Sequence, residues 1–332
     1  MNNISIIGAG SWGTTLAILL AEKGINVQLH SVFEEHNKKM QEEKENKLFL
    51  KGFKFPPSLQ INFSLKDTLR NEIIIIAIPV KFLRKALKKI KKNLADKDKI
   101  FVSVSKGIEA KSLKRPSQII EEEIGKVKIA VLSGPNIAYE VARKIPSTSV
   151  VASYYRKVAL KIQQLFTTPF FRVYTHSDII GVELGGALKN IIAIACGISD
   201  GLGLGTNTKA ALVTRGLVEI ARLGKSLKAK PETFWGISGL ADLVTTCFSP
   251  YSRNRFVGEE IGKGKKLKEV IKRMNMVAEG VETVRSAHRL SKKLNIDMPI
   301  THQVYLVLYK NKFPQKAVQD LMRRPLKKEK LF

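Results

Sequence analysis

Short, continuously apolar runs alternate with amphipathic stretches through the first half of the chain, and nothing else narrows its folding options as far. Ile4–Ile7, Val27–Leu29, Ile73–Ile78, Ile100–Val104, Ile129–Leu132 and Val150–Ala152 are rich in Ile and Val. Only Ser5, Gln28 and Ser103 interrupt them, as fits strands with helices covering both sides of a parallel sheet. In one intervening stretch Leu83, Ala86, Leu87, Ile90 and Leu94 follow Val80 at helical spacing, while Lys81, Arg84, Lys85, Lys88, Lys89 and Lys92 take the other faces. Strand alternating with helix implies right-handed crossovers and predicts an α/β fold with a doubly wound sheet.

Beyond residue 178 the strand-like runs stop. Val182–Ile198, Thr208–Leu223, Val281–Leu294 and Pro299–Tyr309 are rich in Ala, Leu, Ile and Gly and read as helices. At about 100–200 residues per domain, a chain of 332 residues is expected to hold two. The expected division is an α/β domain over residues 1–178 and an all-helical C-terminal domain over 179–332. No internal repeat is present, and the lysine-rich pieces at 263–268 and 327–330 read as loops or a tail.

The turn after the first run reads Gly8-Ala9-Gly10-Ser11-Trp12-Gly13. This GxGxxG pattern, directly after a strand and opening a helix, is the arrangement that binds a dinucleotide. Gly8 permits the tight turn, Gly10 lets a pyrophosphate approach the backbone, and Gly13 lets the helix lie close on the strand. The helix N–H groups then face the phosphates. An acidic residue ~20 positions on would grip the ribose of NAD. Here the tip of the second strand reads Leu29-His30-Ser31-Val32-Phe33, with Glu34 and Glu35 only later and no arginine for a 2′-phosphate. The choice between NAD and NADP stays open.

Composition excludes several classes. With 44% hydrophobic residues the chain is neither disordered nor fibrous. Its two cysteines, Cys196 and Cys247, are far apart in sequence and form no disulfide framework, which points to a reducing compartment. Met1-Asn2-Asn3 runs into the first strand without a basic leader, and the longest apolar run, Ile73–Val80, falls short of the ~20 residues of a membrane span. A cytoplasmic protein without stable membrane insertion is expected. The formal charge of +28 admits a nucleic-acid surface, an anionic small substrate, or a lysine-rich exterior. The lysines are spread over many helices with little aromatic interleaving, so no nucleic-acid partner is expected.

One lysine is out of place. Gly181–Ala195 is apolar nearly all round, yet Lys189 interrupts it. A buried ammonium must be paired or neutralised, and one with a tuned pKa suits proton transfer at a hydroxyl or carbonyl oxygen. The alternative is a lysine reaching a domain edge. Ser105-Lys106-Gly107 and Gly134-Pro135-Asn136 follow strands on the carboxyl edge, where α/β sheets bind ligands, though either can be a plain turn. Asp242 lies among apolar residues, with helix capping as its other role. Ser252-Arg253-Asn254-Arg255 opens a helix and offers donors to a phosphate, or else is an exposed basic turn. His30, His36, His176, His288 and His302 show no metal-ligand spacing, and no metal is expected. No hydrolase elbow or Walker loop appears.

Together these segments resemble the bacterial-type NAD(P)-dependent glycerol-3-phosphate dehydrogenases almost end to end. The likeness rests on Gly8–Thr14, Ser105-Lys106-Gly107, Ser133-Gly134-Pro135, Gly181–Asn190, Asn207–Ala211, Thr214-Arg215-Gly216, Ser252-Arg253-Asn254 and Glu279-Gly280-Val281. The resemblance implies an N-terminal NAD(P)-binding Rossmann domain, a helical substrate domain, and reduction of dihydroxyacetone phosphate to glycerol 3-phosphate for phospholipid synthesis. It makes Lys189 the catalytic acid/base. Lys106 would touch substrate and cofactor, and Gly134, Asn136, Asp242, Ser252, Arg253 and Asn254 would line the substrate pocket. Ser11, Trp12, Ala138, Arg253, Val277 and Glu279 would join Gly8, Gly10 and Gly13 on NAD or NADP. The site would lie in the cleft between domains. A homodimer is entertained, but the sequence fixes no oligomeric state.

The chain departs from the family at a few points. Asn136 stands where Ser or Thr is usual, and the basic residue common near Val32 or Phe33 is absent, which weakens any NADP preference. Ala241 and Thr206 replace a usual Gly and Asp without touching the proposed chemistry. The nearest rival is a β-hydroxyacid or 6-phosphogluconate-type dehydrogenase, which also pairs a Rossmann domain with a catalytic lysine. Ser252-Arg253-Asn254 and Gly134-Pro135-Asn136 favour the small phosphorylated substrate of the first family, the triose phosphate, instead.

Overall fold

A computed structural model describes residues 3–274, 277–326 and 328–329. The chain folds into two compact units, one from Met1–Ser105 and Pro116–Ile179, the other from Lys106–Arg115 and Ile180–Phe332. Lys327 and Lys330, in the lysine-rich tail, lie outside the described residues.

The first unit is built on a sheet of eight strands: β1 (Ile4–Ile7), β2 (Val27–His30), β3 (Leu59–Ile61), β4 (Ile73–Ile76), β5 (Ile100–Ser103), β6 (Lys128–Ser133), β7 (Ser147–Ala152) and β8 (Phe171–His176). Their order is β3-β2-β1-β4-β5-β6-β7-β8. β1, β4 and β5 are buried at every position, Ser5 and Ser103 included, as strands covered by helices on both faces are. β1 pairs with β2 on one side and β4 on the other, so the strand order reverses there. Ligands bind at such a switch point in α/β sheets, and the glycine turn leaves β1 at this place.

Two strands escape the apolar-run pattern. β3 has only three residues, and β8 alternates buried and exposed positions as an edge strand covered on one face does. β7 runs antiparallel to β6, unlike every other pair. The link between them holds only the five-residue helix Ala138–Ala142, too little for the crossover that a parallel return needs. Helix Val80–Asn93 lays Val80, Leu83, Ala86, Leu87 and Ile90 inward and leaves its lysines to solvent.

Every described element of the second unit is helical. Its axis is helix Ile179–Gly201, which is long and apolar enough to cross a membrane but has 94% of its apolar window buried inside the protein. Glycines let helix Arg253–Gly262 press against it: a Cβ on Gly197 would stand 2.0 Å from the Arg255 carbonyl oxygen, and one on Gly258 would stand 2.1 Å from that of Ile194. Glu219, fully buried on helix Thr206–Ser226, accepts the Ile300 and Thr301 N–H groups at 2.5 and 3.1 Å. It thereby caps helix Pro299–Tyr309 from a neighbouring helix. The free thiols of Cys196 and Cys247, remote in sequence, meet in this core, where hydrogen bonding to Cys196 and burial push the Cys247 thiol up.

Residues 106–115 lie within the first half of the sequence yet pack with the helical unit. Ile108 belongs to its apolar core, and the Ser286 hydroxyl donates to the Ile108 carbonyl at 2.9 Å.

Candidate active site

In the sheet unit, the glycine turn has the steric logic of a dinucleotide cradle. A Cβ on Gly8 would stand 2.3 Å from the Ala77 carbonyl oxygen, at a φ of +115° that L side chains rarely adopt. A Cβ on Gly13 would stand 2.0 Å from the Gly8 carbonyl oxygen, whereas one on Gly10 would meet nothing within 4 Å. Two glycines are thus required by packing, and the third guards open space. Helix Ser11–Glu22 starts there with no side-chain cap, so its first N–H groups stay available to a pyrophosphate. These features fit an NAD-type cofactor. Trp12 packs on Phe171 with ring centroids 6.3 Å apart, and Ala138 lies alongside, its carbonyl accepting from Thr15 at 3.2 Å.

Asn46, given no role by sequence reasoning, braces this turn. Its buried amide donates to the Ala9 carbonyl at 2.9 Å and to Thr14 Oγ1 at 2.8 Å, and accepts from or faces His36 Nε2 at 3.0 Å. At the tip of β2, Asn37 closes both backbone groups of Ser31, at 2.9 and 2.8 Å. Val32 and Phe33 project into solvent with 55% and 70% exposure. Between β2 and Glu34 the tip therefore presents neither acid nor base.

Asn136 braces the loop that carries it. Its amide donates to the Thr148 carbonyl at 2.9 Å and accepts from Ser149 Oγ at 3.2 Å, tying the loop after β6 to β7. Gly134, two residues earlier, is buried with a φ of +153°.

In the helical unit three of the expected residues meet. Lys189, on helix Ile179–Gly201, is 6% exposed. Its ammonium donates to Asp242 Oδ1 and, at 2.7 Å, to Thr246 Oγ1. Lys106 Nζ donates to the other oxygen, Asp242 Oδ2, at 2.8 Å. Asp242 opens helix Asp242–Phe248 but makes no capping bond; its carboxylate, 1% exposed, bridges the two lysines instead. Thr246 lies one helical turn on and donates its own proton to the Asp242 carbonyl at 2.6 Å, which leaves its lone pairs for Lys189. An ammonium has three N–H donors, so one remains to offer a substrate oxygen. Burial pulls Lys189 down from 10.5 to about 7; Asp242 opposes that fall and Lys106 adds to it. The lysine is therefore paired rather than extended to an edge, and poised to hold or release a proton at neutral pH.

Around this trio the Ser-Arg-Asn motif divides its labour. Ser252 caps helix Arg253–Gly262, its hydroxyl accepting from the Arg255 N–H at 3.2 Å. Asn254 is buried, donating to Asn190 Oδ1 at 2.9 Å and accepting the Gly280 N–H at 2.9 Å, so it locks three helices together. Arg253 is exposed and is steadied by one bond from Nη1 to the Val277 carbonyl at 2.9 Å. Glu279 begins helix Glu279–Lys293; loss of solvent raises it to about 7 although Arg253, Lys106 and Lys189 pull the other way. Sequence reasoning assigned no role to Thr246 or Asn190. The four-residue step from Asp242 and the polar pair Lys189-Asn190 in an apolar helix were the available signals.

Two family profiles cover most of the chain. The N-terminus of NAD-dependent glycerol-3-phosphate dehydrogenase matches residues 3–159, and the C-terminus of the same family matches residues 178–319. A glycerol-3-phosphate dehydrogenase [NAD(P)+] from Chlorobium phaeobacteroides is 48% identical over 330 residues, 98% of each chain. Another from Geobacter sulfurreducens is 47% identical over 332 residues, again 98% of each. The crystal structure of glycerol-3-phosphate dehydrogenase from Coxiella burnetii superposes with a TM-score of 0.94 at 40% identity, covering 97% of this chain and 99% of that one. With the glycine cradle in one unit and the paired lysine in the other, these matches agree from end to end: the chain belongs to the NAD-dependent glycerol-3-phosphate dehydrogenase family.

Proposed function

We propose that this chain is an NAD(P)-dependent glycerol-3-phosphate dehydrogenase that reduces dihydroxyacetone phosphate to sn-glycerol 3-phosphate, in the cytoplasm, for glycerophospholipid synthesis. The observation that carries the chemistry is Lys189, buried, held by Asp242 and Thr246, and brought to about 7. The names of the relatives support the substrate, and the glycine turn supports the cofactor.

In the reducing direction C2 of the ketone gains a hydride and its oxygen gains a proton. A reduced nicotinamide, when bound, supplies the hydride. Negative charge grows on the carbonyl oxygen, and Lys189 delivers the proton there through the one N–H left over from Asp242 and Thr246. Asp242 keeps the ammonium aimed and prevents its complete loss of charge. Lys106, on the far oxygen of the same carboxylate, adds positive potential for an anionic substrate. Arg253 keeps donors beyond its bond to Val277, and a planar guanidinium suits bidentate contact with the phosphate. The start of helix Arg253–Gly262 adds dipole and N–H groups behind it. Ser252 and Asn254 serve that site by shaping the helix start. Holding the phosphate fixes C2 for the transfer.

The direct test is oxidation of NADH and of NADPH, each with dihydroxyacetone phosphate. Turnover with at least one supports the assignment, and none with either overturns it.

A further inference from the structure

Lys106 reaches Asp242 from a segment, residues 106–115, whose neighbours in sequence on both sides belong to the sheet unit. That segment is a folded piece in its own right. The Glu109 N–H donates to the Lys114 carbonyl at 3.0 Å and the Leu113 N–H to the Glu109 carbonyl at 2.9 Å, with Leu113 in the left-handed region at a φ of +61°. The arm that carries Lys106 is thereby closed onto the arm that carries Arg115.

Both arms are fastened to the helices of the site. Ile108 is 2% exposed within the helical core. The Ser286 hydroxyl donates to the Ile108 carbonyl at 2.9 Å, and Arg289 Nη1 donates to the Ala110 carbonyl at 2.5 Å, both from helix Glu279–Lys293. On the other arm, Arg115 makes an ion pair with Glu183, whose side chains are 11% and 1% exposed. Glu183 lies on helix Ile179–Gly201, the helix that carries Lys189. A buried carboxylate on that helix is costly unless a cation meets it, so Arg115 must stay where Glu183 is. The helix that places one lysine therefore also fixes the strap that delivers the other.

We infer that Arg115 and Glu183 are positioning residues, whose buried ion pair holds the 106–115 strap in the register that keeps Lys106 on Asp242. Neither touches the reacting atoms. They act through Lys106, and so through the shared carboxylate that steadies Lys189. The inference rests on the proposed role of Asp242 and Lys106 in turnover, and one of its tests is independent of turnover.

Arg115→Leu removes the cation and Glu183→Gln removes the anion with little change of shape; the second serves if the first fails to fold. Each is measured alone and in a Lys106→Ala background. Displacing a group that orients the reaction lowers kcat/KM for dihydroxyacetone phosphate by about a hundredfold, while KM for NADH stays within about twofold. In the Lys106→Ala background the same substitution costs less than about threefold, because its effect passes through the residue already removed. Equal losses in both backgrounds, or a rise in KM for NADH of the same size, would mean a general structural role and overturn the inference. Independently of turnover, brief acetic anhydride labelling read by peptide mass spectrometry should modify Lys106 about tenfold faster in either variant, since its amine is no longer held by Asp242. Unchanged labelling overturns the inference. Absence of turnover in the unsubstituted protein, with labelling altered as expected, would count against the functional assignment alone.

Discussion

Replacing Asp242 by Asn probes the proton chemistry most sharply, because the carboxylate is what keeps Lys189 from falling further below 7. With Lys189 near 7, its ammonium fraction drops from about nine-tenths at pH 6 to about one-tenth at pH 8. Reduction of dihydroxyacetone phosphate requires the ammonium, so its kcat/KM should fall about tenfold across that interval. Oxidation of glycerol 3-phosphate requires the neutral amine, so its kcat/KM should rise by about the same factor. An opposite charge at this range is worth about 1–3 pH units, so Asp242→Asn moves both limbs to lower pH by that amount. At pH 7 the ammonium fraction then falls from about half to about one-tenth or less, and reduction slows at least about fivefold from protonation alone. Initial rates in both directions over pH 5.5–9 (~0.5-unit steps suffice) supply the profiles. Limbs that run the same way in both directions would refute the role given to Lys189. A limb that moves to higher pH in Asp242→Asn would refute the role given to the carboxylate.

The glycine turn gives a paired prediction. Gly13→Ala forces a methyl group against the Gly8 carbonyl and should destabilise the sheet unit by about 2 kcal/mol or more in urea unfolding. Gly10→Ala enters open space, so stability should hold within about 0.5 kcal/mol while KM for NADH rises about tenfold; unchanged KM would show that the open face is not the pyrophosphate site. At the tip of β2, Val32→Asp supplies the missing acid and should lower kcat/KM for NADPH about tenfold relative to NADH, a shift that steady-state rates with the two nucleotides would detect.

The alternation of apolar runs with helices made the sheet legible, since strands buried on both faces carry few polar residues to blur them. β3 and β8 were not legible for the opposite reason: an edge strand keeps one side in water, and β3 is only three residues long. The reversal at β7 follows from what the loop after β6 contains, not from β7 itself. In the site, Lys189 stood out because an ammonium in an apolar helix demands an explanation. Asp242 was visible as a polar residue out of context, but its pairing with two lysines belongs to tertiary contacts far apart in sequence. Asn46 was invisible because an amide in a polar-tolerant position carries no signature of its partners, and Thr246 was marked only by its four-residue step from Asp242. The strap of residues 106–115 was read as part of the sheet domain because sequence order says nothing of which core a loop's side chains enter.

The +28 charge, for its part, is met in the site only by Lys106, Lys189 and Arg253. Many other lysines sit on exposed helix faces such as that of Val80–Asn93, whose apolar residues are turned inward.

The central claim concerns one side chain, and Lys189→Ala tests it most directly. Removing a positioned general acid lowers kcat by about 10²–10⁴-fold, so NADH oxidation with dihydroxyacetone phosphate should nearly vanish in this variant. NADH binding, measured by fluorescence titration, should remain within about threefold of the unsubstituted protein, because the nucleotide cradle lies in the other unit. Turnover within about fivefold of normal, with cofactor and substrate still bound, would contradict the account and remove Lys189 from the mechanism.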